Sequence, residues 1–158
     1  MPEEDINRGV NWQVKKFEFS NMFSYGEDNV VDFTKLGGIV GLFAPNAAGK
    51  SSLLDALSFC LFDTSSRAYK AVNVLNNKKN KFHCKATLEV EGVEYFIERN
   101  AKRQRNGHVK VDVEFYTFDD ANVKVSLNGD QRRTTDVNIR RLIGTYDDFV
   151  MTALSLQT

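Results

Sequence analysis

Cysteine is scarce in this sequence, and proline is just as scarce. The two cysteines, Cys60 and Cys84, stand far apart and form no C-x-x-C pair, which excludes a disulfide framework and zinc-finger spacing. A reducing, cytoplasmic compartment is therefore the expectation. The two prolines, Pro2 and Pro45, leave no Pro-rich linker. No apolar run is long enough to span a bilayer, so no membrane partner is expected. The opening residues "MPEEDINRGV" are polar and acidic, unlike a secretory signal. Surplus charge is also missing, since 21 basic and 21 acidic residues cancel. That excludes a chain gripping nucleic acid over its whole surface and leaves room for a local basic patch. There is no internal repeat and no low-complexity segment.

What remains is an ordinary globular composition. The chain has 158 residues, 42% of them apolar, enough for one domain with a core. "WQVKKFEFS" (12–20) alternates roughly, with Val14, Phe17 and Phe19 apolar, and reads as a strand. A turn, "NMFSYGEDN", leads to a second short strand over 30–33. "IVGLF" (39–43) is apolar on both faces, as a buried central strand is. From Lys50 to Phe62 the spacing of Leu53, Leu54, Leu57, Cys60 and Leu61 predicts a helix.

The middle of the chain changes period. Ala86, Leu88 and Val90 share one face, and so do Val93, Tyr95 and Ile97. Val109, Val111, Val113 and Phe115 alternate with Lys110, Asp112 and Glu114, and Val123, Val125 and Leu127 repeat the pattern. With Glu91-Gly92 and Asn106-Gly107 as turn signals, this predicts an antiparallel meander with one wet face. A helix is expected over 134–144, with cap residues at its start and Gly144 as its stop, and a further helix begins in "YDDFVMTALSL".

The motif that carries chemistry is "GLFAPNAAGKSSLLDAL" (41–57). It follows G-x-x-x-x-G-K-[ST], in which successive backbone N–H groups cradle phosphate and the next helix adds its positive end. Gly49, Lys50 and Ser51 fill the last three positions and Ala44 fills the first. If Ala47 must sit at positive φ, alanine costs about 1–2 kcal/mol relative to glycine. The setting favours a working site: a buried strand precedes, a helix follows, and Ser51 and Ser52 are placed to cap it.

Other signals read as structure. "EFYTFDD" (114–120) imitates the acidic strand of an ATPase, but its alternation makes it half wet and part of another hairpin. His83 and Cys84 are adjacent, a poor geometry for sharing a metal, and Cys60 lies on the apolar helix face. "RNAKRQRNGHVK" groups Arg99, Lys102, Arg103, Arg105 and Lys110 around a turn. It is either a solvated turn or a contact for DNA phosphates, through Lys102, Arg103 and Arg105. Arg67, just past the first helix, is either near the nucleotide or simply exposed.

"APNAAGKSSLLDALSFCLFD" resembles the phosphate loop of SbcC-type DNA-repair ATPases, relatives of the SMC proteins that include phage recombination endonuclease large subunits. "VKKFEFSNMFSYGEDNVVDF" is similar to that family's opening strand, Asn-containing turn and second strand. "VEGVEYFIER" and "LIGTYDDFVMTALSLQ" resemble its arginine-ended strand and the approach to its Q-loop. The resemblance implies an α/β P-loop NTPase head with an antiparallel β lobe, of which residues 1–158 are the N-terminal part. It implies ATP and Mg as cofactors. Ala44, Pro45, Asn46, Ala47, Ala48, Gly49, Lys50, Ser51 and Ser52 would hold phosphates, with Lys50 on the outer ones. Ser51 and Gln157 would bind magnesium, and Lys50 and Gln157 would serve hydrolysis.

The implied partners are an SbcD-like nuclease subunit, DNA, the chain's own C-terminal head half and a second head in a homodimer. The sequence departs from the pattern at Ala44, Ala47 and Phe23, the last standing where cellular members carry arginine and leaning toward a phage origin. Signature segment, coiled coil and switch histidine do not occur in these residues. The expectation is that they follow in a longer protein, and that hydrolysis belongs to that protein. Two alternatives stay open. A transporter's nucleotide-binding subunit would use Tyr25 to stack adenine, although Gln157 follows Lys50 at a far longer interval than such subunits have. A P-loop scaffold module would bind without hydrolysis.

Overall fold

The computed structural model describes residues 12–34, 50–63 and 70–147. Its frame is a six-stranded antiparallel sheet: β1 (Trp12–Ser20), β2 (Asn29–Asp32), β3 (Lys81–Val90), β4 (Val93–Arg103), β5 (Val109–Phe118) and β6 (Lys124–Ser126), in the order β2-β1-β3-β4-β5-β6. Helices α1 (Lys50–Phe62), α2 (Ala71–Val74) and α3 (Arg132–Ile143) complete the described elements.

The rough alternation of β1 has a cause. Val14 and Phe17 are three apart, which a regular strand would place on opposite faces. A register irregularity between Val14 and Lys16 against β3 returns both to the core, where Phe17 and Phe19 also lie buried. β3 buries Phe82, Cys84, Ala86, Leu88 and Val90, and β5 buries Val111 and Phe115 on the same face. α1 covers this face beside β3 and β4, and α3 covers it beside β5. Every residue of α1 from Asp55 to Phe62 is buried, so it is a core helix rather than a surface one. α3 buries a single stripe, Thr135, Asp136, Ile139 and Ile143, and stops at Gly144, whose φ of 86° suits glycine.

The meander is present as the alternation predicts, with corrections at the start of β4 and at its far edge. Val93 is exposed, and β6 is only three residues long, with Val123 56% and Val125 39% exposed. It is an edge strand whose outer side nothing described covers. The third helix starts at Arg132, two residues before the expected start, because the Thr134 hydroxyl accepts from the Gln131 N–H at 2.8 Å. The acidic pair after β5 belongs to a hairpin: Asp119 Oδ1 accepts from the N–H groups of Ala121 and Val123, both at 2.9 Å. The expected strand at 39–43 lies outside the described residues, as does the last helix beyond Asp147.

The wet face is not wet throughout. Phe96, Tyr116 and Phe118 form an aromatic cluster there, with Phe96 stacked on Tyr116 at 5.2 Å and Lys124 over the Tyr116 ring at 4.2 Å. The Tyr116 hydroxyl donates to Glu98, whose other oxygen meets His83 Nε2 at 3.3 Å. Burial pushes the Glu98 carboxyl up, but the hydrogen bonds from Tyr116 and His83 outweigh it and hold it below its ordinary value. Tyr116→Phe is expected to cost about 1–2 kcal/mol near neutral pH, as for a hydrogen bond to a charged group. Because the folded value is depressed, that contribution is complete above the unfolded glutamate value of about 4.3 and vanishes as pH falls through the folded one. Urea unfolding of both proteins at about pH 7 and about pH 3 checks this, and the gap between them should close in acid.

Candidate nucleotide site

α1 is already helical at Lys50, so Ser51 and Ser52 stand inside its first turn and not before it, as a cap would. Of Lys50 and Ser51 the backbone alone is described, and Ser52 is half-buried. The loop residues Ala44, Pro45, Asn46, Ala47, Ala48 and Gly49, together with Gln157 and Arg67, lie outside the described residues. The first turn of α1 holds no acidic side chain. No acid of its own first turn neutralises the positive end of the helix, which fits a bound polyphosphate.

The turn that holds Asn21 is knitted to the segment around α2. The Asn21 carbonyl accepts from the Asn76 N–H at 2.8 Å and Asn21 Nδ2 donates to the Lys81 carbonyl at 3.2 Å, while Asn76 Nδ2 donates to the Tyr25 carbonyl at 3.0 Å. Asn21 and Phe23 both take positive φ, 62° and 53°. Asparagine tolerates this readily and phenylalanine does not. Phe23 is held there by its N–H, which donates to the Val74 carbonyl at 2.6 Å. Tyr25 packs edge-on against Phe19 at 4.9 Å, a core contact rather than a free stacking platform.

The C-terminal end of α1 holds a group that the run of basic residues disguises. Arg99 is fully buried, not part of a solvated basic tip. Its Nε donates to the Cys60 carbonyl and its Nη2 to Asp136 Oδ1, each at 2.7 Å. Burial alone would lower its pKa, but the Asp136 and Asp63 carboxylates outweigh that and keep the guanidinium charged. Arg132 of α3 pairs in turn with Asp63, just past α1. Arg132 and Asp136 are four apart and so share one face of α3. The signal that could have found Arg99 is parity. It continues the inward positions of Tyr95 and Ile97, and Ala101 after it is buried as well.

Cys60 and Cys84 are buried and free. Burial raises the Cys60 thiol well above its ordinary value, and contact with Cys84 raises it further. Cys60 Sγ donates to the Ile97 carbonyl at 3.6 Å, and both cysteines are core groups as expected. His83 and Cys84 face opposite sides of β3. No group of three or more metal-ligating His, Cys, Asp or Glu side chains occurs among the described residues.

The rest of the basic hairpin is on the surface. Lys102 and Arg105 are exposed and Arg103 is half-buried. The register also places Lys81 opposite Lys102 and Lys102 opposite Lys110, three lysines in one row across three strands. None of the three enters an ion pair among the described residues. They line an open hollow of about 600 Å³ with Asn21, His83 and Asn100. The buried Asn21 Oδ1 has no hydrogen-bond partner among the described residues. Lys81 ends a short basic run of its own, NNKKNK (76–81), which sits far from the hairpin along the chain and joins it only through strand pairing.

A six-stranded antiparallel sheet packed on a helix whose first turn carries the Lys50 and Ser51 of a Gly-Lys-Ser motif fits one class, a mixed α/β P-loop NTPase domain. Comparison with known proteins agrees. A family model described as an AAA domain matches residues 16–154. A protein of Acanthamoeba polyphaga mimivirus, its function uncharacterised, is 41% identical over 93% of this chain and 11% of its own length. The SbcC component of the nuclease SbcCD from Bacillus subtilis is 27% identical over 81% of this chain and 12% of that protein. The DNA double-strand break repair Rad50 ATPase of Sulfurisphaera tokodaii is 30% identical over 77% of this chain and 12% of that protein. The solved structure of the recombination mediator RecF with ATP is alike in fold, with a TM-score of 0.50 at 17% identity over 81% of this chain and 31% of that one.

The chain belongs to this AAA-domain family, and within it is the N-terminal region of an SMC-like ATPase head. It spans 11–12% of the length of these curated relatives. No helix among the described residues is long and apolar enough to cross a membrane.

Proposed function

We propose that this chain is the ATP-binding N-terminal lobe of an SbcC-like ATPase that works with a nuclease subunit in DNA end processing, repair or recombination. The observation that carries the reading is the start of α1 at Lys50, with no acid in its first turn. Lys50 and Ser51 of the motif thus stand in the first turn of a helix whose field favours phosphate. Residues 44–52 would hold the phosphates, Lys50 would contact the outer ones, and Ser51 and Gln157 would hold magnesium. The bound metal would neutralise charge on those phosphates. In the longer protein, a C-terminal head half and a second head would close the site.

Calorimetric titration with Mg-ATP tests the reading, with Lys50→Ala as control. Saturable binding that is lost in the variant supports it, whereas equal binding by both proteins would place the nucleotide elsewhere.

DNA is proposed to contact the β4–β5 hairpin through Lys102, Arg103 and Arg105. The cross-strand row of Lys81, Lys102 and Lys110 supports this, because like charges directly opposite destabilise a sheet and a phosphate backbone relieves that repulsion. Arg103→Ala combined with Arg105→Ala should reduce the slope of log affinity against log salt by about 2 for duplex DNA. An unchanged slope would leave the hairpin a solvated turn.

A further inference from the structure

We propose that Arg99 is a positioning residue that couples the nucleotide end of α1 to the basic hairpin through β4, an inference that rests on the nucleotide reading above. α1 is a rigid rod of about 20 Å, with the phosphate loop at one end and Arg99 at the other. Arg99 grips that far end through the Cys60 carbonyl and is anchored to α3 through Asp136, both at 2.7 Å. The strand that carries Arg99 runs on three residues to Lys102, and the register joins Lys102 to Lys81 and Lys110. Apolar packing slides, but a hydrogen bond weakens steeply as it bends or stretches. A small shift of α1 is therefore passed to β4 at this point rather than absorbed.

A second observation concerns the donor that the grip leaves over. Arg99 Nη1 is buried and has no hydrogen-bond partner among the described residues. Asp63, held by Arg132, is near enough for its charge to act on Arg99. Among the described residues the set is one acceptor short, and a movement of the end of α1 that brings Asp63 or a terminal carbonyl to Nη1 would complete it. Two arrangements with different contacts are what coupling between sites requires.

The test is backbone amide hydrogen exchange over residues 100–110, with and without a saturating non-hydrolysable Mg-ATP analogue, with binding of the analogue measured by calorimetry on the same samples. Two variants are compared with the wild type. Arg99→Lys keeps the charge opposite Asp136 but lacks the planar fork that reaches two acceptors. Arg99→Met with Asp136→Leu removes the pair without stranding either charge. The comparison is read on whichever variant keeps the wild-type circular dichroism spectrum.

Nucleotide should slow hairpin exchange about fivefold or more in the wild type, within the usual range of coupling between sites. In the variants the analogue should still bind while the slowing falls below about twofold. Wild-type binding with unchanged hairpin exchange would overturn the coupling, and so would a full response in the variants, which would make the pair merely structural. A wild type that binds no analogue removes the nucleotide reading and this inference with it, and calorimetry tells that failure from the others.

Discussion

Arg99→Met alone is expected to cost the fold about 3–5 kcal/mol, the usual result of removing one partner of a buried ion pair. Methionine fills much of the same volume, so the loss is not mainly a cavity. It comes from what is left behind. Asp136, 8% exposed at its side chain, would keep its charge without a partner or take up a proton to avoid it. The Cys60 carbonyl, at the negative end of α1, would lose its donor as well. A domain of this size has about 5–15 kcal/mol in total, so the single variant should sit near the edge of folding. Arg99→Met with Asp136→Leu should recover most of the loss, because a buried pair replaced on both sides by apolar groups is often neutral. Urea unfolding of the three proteins decides it. A single-variant cost under about 1 kcal/mol would mean that water reaches the pair and that Arg99 is not the closed group described above.

The same residue shows what the sequence could and could not reveal. Most of the sheet is legible because its strands alternate against water, as Val109 to Phe115 do, and because α1 changes to helical spacing where the loop ends. Arg99 is hidden by composition, since Lys102, Arg103, Arg105 and Lys110 follow it closely and make it look like one of a solvated run. Its parity on β4 says otherwise, but a burial argument needs the acceptors, and Cys60 and Asp136 lie 39 and 37 residues away. The lysine row is hidden for a related reason, since register between β3, β4 and β5 is a property of pairing and not of any one strand. The far edge reads as more buried than it is, because alternation in Val123, Val125 and Leu127 marks a face without saying whether anything covers it. The phosphate loop is legible from its motif and its family, not from the geometry of its side chains.

Phe59→Ala should be the largest effect of any single core truncation on α1, about 3–5 kcal/mol. Phe59 is 1% exposed and meets Phe82 of β3 edge-on, with ring centres 5.8 Å apart, so the change removes both apolar burial and an aromatic pair. The cavity would have little means of closing. One wall is a sheet strand fixed by hydrogen bonds to β1 and β4 on its two sides. The other is a helix whose end is fixed by Arg99. Costs of this kind grow with the cavity that survives relaxation, and rigid walls leave most of it. Cys60→Ala, the next residue along, removes one sulfur atom and should cost far less, about 1 kcal/mol. Thermal unfolding of the two variants beside the wild type gives the comparison. If Phe59→Ala cost no more than Cys60→Ala, α1 would have to shift to fill the space, and the fixed anchorage of its C-terminal end on β4 and α3 would be wrong.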